Sequence, residues 1–319
     1  MRNTESDGQV GLVTEKVITL LTMGAVTFIC GLLPIKLMSQ VRQSSNNQWT
    51  TFISFCSCFS GGVFLAACLL DLLPDVEEKT DQIKEEIKKK YDVDLNYPLA
   101  QFAICCGFFM ILTVEQFVHF LQETRVEEEG ENQHLLSQGS SSTYQAAPTT
   151  HSHHQQQHSH QHSSQFLPNS SLRSLMLLLA LSLHSVFEGL AIGLQETTGD
   201  LISITLAVIS HKAVMAFSLG LNLAQSNLSL KNFITSNIIF SIASPVGISI
   251  GIGMSSVAQS LPNDIISGIL QGMAGGTFLY VTFLEVLPQE LNVQKNRLWK
   301  VLFILFGFSS ICGLLMITQ

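Results

Sequence analysis

The sequence predicts an all-α fold: a polytopic membrane protein of eight transmembrane helices in a 3+2+3 arrangement, with an inverted repeat relating spans 1–3 to spans 6–8. Composition is the first ground. Of the 319 residues, 46% are hydrophobic and 13% charged, and the mean hydropathy is +0.34, a balance more apolar than a soluble core requires. Second, eight windows approach the ~20 consecutive apolar residues that cross a bilayer as a helix, and none shows the two-residue alternation of a transmembrane barrel. Third, one motif occurs twice, as GGVFLAACLLDLLPD from Gly61 to Asp75 and as GGTFLYVTFLEVLPQ from Gly275 to Gln289.

Residues 1–16 are polar and of mixed charge. They lack the basic stretch, short apolar core and small-residue cleavage site of a secretory signal, so they are expected to form an extracellular tail ahead of a retained first span, Val17 to Ile35. Span two, Phe52 to Leu73, gives way to a segment in which five lysines interleave with Glu77, Glu78, Asp81, Glu85 and Glu86, the pattern of an amphipathic helix continuing out of the span. Span three, Leu99 to Leu121, closes a first block, 17–121. Gln122 to Ser171 is rich in Ser, Gln and Glu and is expected to be a disordered cytoplasmic loop. Within it, HSHHQQQHSHQH from His151 to His162 holds six of the chain's ten histidines. Such a tract suits weak capture of transition metals, because a flexible chain must be ordered before it can build a site; a neutral polar linker is the alternative. Spans four and five, Leu172 to Leu194 and Leu201 to Leu223, carry the ionisable groups. Spans six to eight, Phe233 to Val257, Ile265 to Leu287 and Trp299 to Ile317, complete a last block, 233–317.

The repeated motif pairs Phe64 with Phe278, Asp71 with Glu285 and Pro74 with Pro288. Its copies fall on spans two and seven, which cross the membrane in opposite senses, as inverted-topology transporter repeats do. Spans one to three and six to eight then flank a central pair, spans four and five.

His184 and Glu188 stand one turn apart in the otherwise almost wholly apolar fourth span, and His211 and Lys212 lie at a similar depth in the fifth. Ionisable groups at membrane depth cost at least ~2.5–3.5 kcal/mol each, so they face a polar interior and carry function. The i, i+4 spacing puts His184 and Glu188 on one helix face. At ~1.5 Å of rise per residue, His184 and His211 both come near the midplane. Two imidazoles and one carboxylate suit Zn2+, with Fe2+, Mn2+, Co2+ and Cd2+ as weaker alternatives, and three protein ligands leave the open position that an exchanging ion needs. No resident cofactor is expected, because the ion is cargo. Lys212 would repel a dication unless paired, and Glu188 is its expected partner. Asp71, Glu115 and Glu285, with His119 one turn after Glu115, lie toward span ends and are candidates for an entrance or exit. Gly189, Ala191, Gly193, Ala216 and Gly220 are read as plain helix packing. All seven cysteines fall within predicted spans, so they are expected to be small buried hydrophobes rather than a disulfide framework or zinc ribbon.

With both termini outside, eight Lys and Arg face the cytoplasm against seven outside, so charge decides little about orientation. In that orientation the sequons at Asn169 and Asn227 face the cytoplasm and stay bare.

HSVFEGLAIGLQ from His184, HKAVMAFSLGLNL from His211 and GTFLYVTFLEVLPQEL from Gly276 resemble the ZIP (Zrt/Irt-like) family of divalent-metal transporters, and in particular its subfamily of plasma-membrane zinc importers; the resemblance covers all eight spans and the His-rich loop. It implies an eight-helix bundle, extracellular termini, uptake into the cytoplasm and a metal site between helices four and five. By resemblance, His184 and Glu188 match the fourth-helix ligands and His211 a fifth-helix ligand. The broader family's two-metal site has Asn after the first His and further carboxylates on helix five; here Ser185, Lys212 and Met215 stand in those places. The expectation is therefore one ion per site, with Lys212 supplying the charge that a second ion provides elsewhere. The competing class is an intramembrane zinc-dependent hydrolase, disfavoured because HxxxE is not the HExxH arrangement that sets a general base between two ligands. A seven-helix receptor fares worse, since eight spans put both termini on one side. Divalent ions and the lipid bilayer are the expected partners, nucleic acid is not, and the sequence leaves open a homodimer and whether an internal membrane rather than the cell surface is served.

Overall fold

The computed structural model describes residues 2–43, 48–92, 94, 96–138, 170–226, 228–257, 263–292 and 296–318, and among these no residue is in a strand. Eight helices are long and apolar enough to cross a membrane: Gly11–Lys36, Thr51–Lys89, Leu99–Leu121, Arg173–Gly193, Thr198–Gln225, Leu230–Ser255, Ile265–Leu291 and Arg297–Met316. They match the predicted spans one to eight in number and order. The chain divides into two compact units, Met1–Leu112 with Ser170–Gln319, and Thr113–Asn169.

In the first unit the deepest spans are two, four and seven, with 61%, 61% and 67% of their most apolar windows buried, against 39% for span five. Span four shares the core with the two copies of the repeat. Span five buries only one face, and Ile202 and Leu206 lie on its exposed side. Large apolar side chains on the outside of a helix need lipid rather than water, as do Ile18, Leu21 and Ile29 of span one and Trp299, Leu302 and Phe306 of span eight.

The repeat is visible in the packing. A Cβ on Gly62 of span two would overlap the carbonyl oxygen of Ile304 on span eight, and a Cβ on its counterpart Gly276 of span seven would overlap that of Ile104 on span three. Gly307 meets Phe59 in the same way that Gly107 meets Met273. Each contact is the other carried across the pseudo-twofold axis. On that axis Phe64 and Phe278, equivalent residues of the two copies, pack with ring centroids 5.2 Å apart. Span four also lies close on span six, where a Cβ on Gly189 or Gly193 would come 2.5 Å from the carbonyls of Ser244 and Ile248. Small residues at such crossings let backbones touch, which is the packing role expected of them.

Both copies also carry a π-helical turn, Ala67–Leu72 and Val281–Val286. Pro74 and Pro288 lack the N–H that would bond four residues back, and their rings crowd the carbonyl there, so the turn widens. The N–H of Leu73 accordingly donates to Cys68 O, and that of Leu287 to Thr282 O, each five residues back. Span two then runs on through the amphipathic helix Leu73–Tyr91, which buries Val76, Thr80 and Ile83 and exposes Glu77, Glu78 and Asp81.

Several expectations change. The first helix begins at Arg2 rather than Val17, and Lys16, assigned to a solvated tail, is 3% exposed, its Nζ donating to Gly193 O at 2.7 Å. There it caps the C-terminal end of span four, where a cation complements the helix dipole. The third helix continues to Gln138, so residues 122–138 are not the disordered stretch expected; Glu, Gln, Arg and Leu are strong helix formers, and a polar composition does not separate disorder from a solvated helix. The His151 to His162 tract and the sequon asparagines Asn169 and Asn227 lie outside the described residues. All seven cysteines are free, but only Cys58 and Cys68 are buried and Cys105 is exposed, on the side of span three away from Gly107 and its contact with Met273.

Gly276→Val is expected to cost about 1–3 kcal/mol or more through forced separation of spans three and seven. It should lower the melting temperature of the detergent-purified protein, whereas Gly313→Ala, whose Cβ meets nothing within 4 Å, should leave it within error.

Candidate metal site

Span four ends at Gly193, and span five starts at Thr198 behind an N-cap in which the Thr197 hydroxyl accepts from the Asp200 N–H at 3.2 Å. This short link folds the two spans antiparallel. Glu188 lies five residues before the end of span four and His211 thirteen after the start of span five, so it is the packing of the two helices, not the length of the link, that brings His211 to Glu188 at 2.8 Å.

His184, Glu188 and His211 are 0%, 3% and 1% exposed, and one ligand atom of each lies within 4.8 Å of the others. His211 Nε2 is 2.8 Å from Glu188 Oε1, and His184 Nε2 is 3.6 Å from the same oxygen. Tetrahedral zinc with bonds of ~2.0–2.1 Å holds its ligand atoms roughly 3.4 Å apart, so small side-chain adjustments would satisfy an ion. Among the described residues no other group of three or more His, Cys, Asp or Glu meets this criterion.

The tautomer of the His184 ring follows from its neighbours. Its Nδ1 lies 2.9 Å from Ala274 O, and a carbonyl only accepts, so Nδ1 carries the hydrogen and donates. In the neutral ring Nε2 then holds a lone pair, and that atom is buried without a hydrogen-bond partner. A buried acceptor left open costs ~1–3 kcal/mol, so its retention here asks for a ligand. Thr277 Oγ1 lies 3.2 Å from the same Nδ1 and donates to Ala274 O at 2.7 Å. The Phe278 ring stacks on His184 with centroids 4.7 Å apart and reaches His211 at 5.8 Å. Such outer partners fix ring orientation and tautomer at metal sites.

Lys212 is 1% exposed. Its Nζ donates to Glu188 Oε2 at 2.6 Å and to Ser185 Oγ at 3.1 Å, the pairing expected from sequence. The Glu188 carboxylate is thereby divided, one oxygen facing the imidazoles and the other held by an ammonium. Met215 is fully buried, and Ser185 lends its carbonyl to Ser244 of span six at 3.3 Å.

The auxiliary acids separate. Asp71, expected toward a span end, is corrected to a position beside the site: its Oδ2 is 3.8 Å from His211 Nδ1. The apolar window ended at Leu73, but the helix does not, so Asp71 sits in mid-helix inside the π turn. Glu285 pairs with Arg173 at 3.3 Å. Glu115 belongs to the second unit, where its carboxylate lies 4.0 Å from His119. Sequence reasoning missed the contribution of span seven, from Ala274, Thr277 and Phe278. Two of these lie in the repeated motif, which was the signal available.

A profile of the ZIP zinc transporter family matches residues 13–315. Zinc transporter ZIP1 of Danio rerio is 39% identical over 95% of this chain and 98% of its own length. Zinc transporter ZIP3 of Bos taurus is 37% identical over 97% and 99%, and zinc transporter ZIP1 of Homo sapiens 37% over 92% and 87%. A match of this extent, on a chain whose eight apolar helices enclose two imidazoles and a carboxylate, places the protein in the ZIP family of zinc transporters.

Proposed function

We propose that this protein carries zinc across the plasma membrane into the cytoplasm, with both termini outside, and that His184, Glu188 and His211 hold the ion transiently on the way. The observation that carries the reading is the buried, unpartnered Nε2 of His184, aimed at a carboxylate oxygen that His211 also reaches. The zinc transport named for its relatives fits that ligand set. Two imidazole nitrogens and one oxygen favour Zn2+ over the harder Mn2+; Fe2+, Mn2+ and Cd2+ would be weaker cargo. Three ligands hold an ion without enclosing it, and an incomplete shell is what permits release.

Lys212 sets the charge of the site. With the ammonium fixed 2.6 Å from Glu188 Oε2, the carboxylate is already neutralised. A second dication would have to displace a buried ammonium. One ion per site follows, because the Glu188 charge is already met, while Asp71, 3.8 Å from His211, leaves a negative charge beside the ligands for the single dication.

Zinc-65 uptake in cells, at matched surface levels, tests the assignment. His184→Ala and His211→Ala should both fall to the background of untransfected cells, and uptake at the wild-type rate in either would refute the site. Lys212→Ala should keep uptake but shift its KM or maximal rate. Because it strips the partner from a buried carboxylate, it should also lose about 3–5 kcal/mol of stability without zinc. Zinc should restore more of the melting temperature in that variant than in wild type, since the ion takes over the missing charge. Native mass spectrometry should find His184→Ala binding one zinc fewer than wild type, and a loss of two would contradict the role given to Lys212.

A further inference from the structure

A second polar feature lies toward one end of the helices that carry the His and Glu cluster, open to the surface at that end. It is a pocket of about 270 Å³ whose lining includes Asp75, Glu78, Lys79, Gln195, Asp200 and Gln271. Spans two, five and seven and the link after span four contribute to it, all on the same side. Asp75 stands one turn beyond Asp71 on span two, and Gln195 lies in the link just after span four. Asp200 precedes His211 on span five, and Gln271 precedes Ala274, whose carbonyl holds His184, on span seven. At ~1.5 Å per residue, Asp75 lies roughly 6 Å beyond Asp71 and Asp200 roughly 16 Å before His211 along their helices. Because spans two and four run opposite to spans five and seven, these offsets all point to the end of the bundle at which span one begins.

Gln271 is the informative residue. It is 3% exposed, and neither its amide oxygen nor its amide nitrogen has a hydrogen-bond partner. A buried primary amide with both ends open is costly, and this one lines a polar pocket. Its neighbours are already engaged. Gln195 donates to Ala191 O at 2.9 Å and to Ser267 Oγ at 3.2 Å, and Lys79 donates to the same hydroxyl at 3.2 Å. Gln271 therefore offers one acceptor and one donor to whatever occupies the pocket.

Charge and size narrow the occupant. Three lining carboxylates, Asp75, Glu78 and Asp200, against one ammonium, Lys79, leave a formal net of two negative charges. No imidazole or thiolate lines the pocket, so it lacks the ligands that would strip water from zinc. At ~30 Å³ per water its volume holds roughly nine waters, enough for a dication that keeps a shell of about six. Bound water presents O–H donors, which the carboxylates and the Gln271 carbonyl accept.

We propose that this pocket is a staging site for the still-hydrated divalent cation, held in its outer sphere by Asp75, Asp200 and Gln271 before it sheds water to His184, Glu188 and His211. The proposal rests on the transport reading above, including its outward-facing N-terminus. It divides the work. The outer pocket concentrates and orients the ion with its shell intact, and dehydration waits until imidazole nitrogens can replace the lost waters. Between the two, Asp71 stands 3.8 Å from His211 and one turn below Asp75, a carboxylate on the line of transfer.

An exchange-inert mimic tests this. Hexaamminecobalt(III) carries a fixed octahedral shell of N–H donors and cannot release it, so it can fill an outer-sphere site but not the His and Glu cluster. Added outside cells expressing the full chain, it should inhibit zinc-65 uptake competitively, raising the apparent KM several-fold at millimolar concentration. In Asp75→Asn, an exposed position where misfolding is not expected, and in Gln271→Leu, inhibition should weaken at least fivefold, and the KM for zinc itself should rise. Absence of inhibition in wild type, or equal inhibition in both variants at matched surface levels, would overturn the staging site. His184→Ala separates the two claims: if it still transports, the transport reading has failed, whereas loss of uptake there with no effect of the cobalt complex on wild type refutes the staging site alone.

Discussion

A single buried carboxylate organises the interior of this protein. Glu188 is almost wholly removed from solvent, with His211 at 2.8 Å on one oxygen and Lys212 at 2.6 Å on the other. An ionised carboxylate in such a place persists only if its charge is met by fixed partners. Lys212 meets the charge permanently, which leaves the other oxygen and two imidazoles to meet a visiting ion. The pocket is thus stable without cargo and receptive to it, two requirements that conflict in a site made of anions alone.

The helices are arranged to hold that carboxylate in place. Span four carries His184 and Glu188 and is gripped along its length by span six, through Gly189 and Gly193 against the Ser244 and Ile248 carbonyls. Its last carbonyl is tied to Lys16 of span one. From the other side, span seven supplies the Ala274 carbonyl that sets the His184 tautomer and the Phe278 ring that stacks on it. Phe278 in turn packs on Phe64, its counterpart in span two. The symmetry axis of the repeat therefore runs beside the metal ligands, and the π turns on either side of it place Asp71 and Glu285 at related positions with different partners, His211 for one and Arg173 for the other. A symmetric scaffold has diverged where chemistry requires it.

Much of this was legible in the sequence for a definite reason. Membrane spans are long and nearly uniform in polarity, so hydropathy finds them, and His184, Glu188, His211 and Lys212 stood out because each violates that uniformity. The repeat was legible because glycines, a phenylalanine and a proline recur at fixed spacing. What escaped leaves no residue-type signature. The Ala274 carbonyl could belong to any amino acid. Asp71 was placed at a span end because hydropathy falls at Leu73, although the helix continues through a widened turn. Lys16 looked like a solvated tail residue until span four brought an uncapped carbonyl to it. Residues 122–138 were ambiguous in kind, since Glu- and Gln-rich segments serve both solvated helices and disordered chains.

Zinc K-edge X-ray absorption on the purified, zinc-loaded protein tests the central claim most directly, because it reads the ligands without relying on transport. The account predicts one zinc environment with two imidazoles and a carboxylate oxygen at ~2.0–2.1 Å, losing one imidazole in His184→Ala. A sulfur shell near 2.3 Å, a zinc–zinc vector near ~3.5 Å, or a spectrum unchanged in that variant would contradict it.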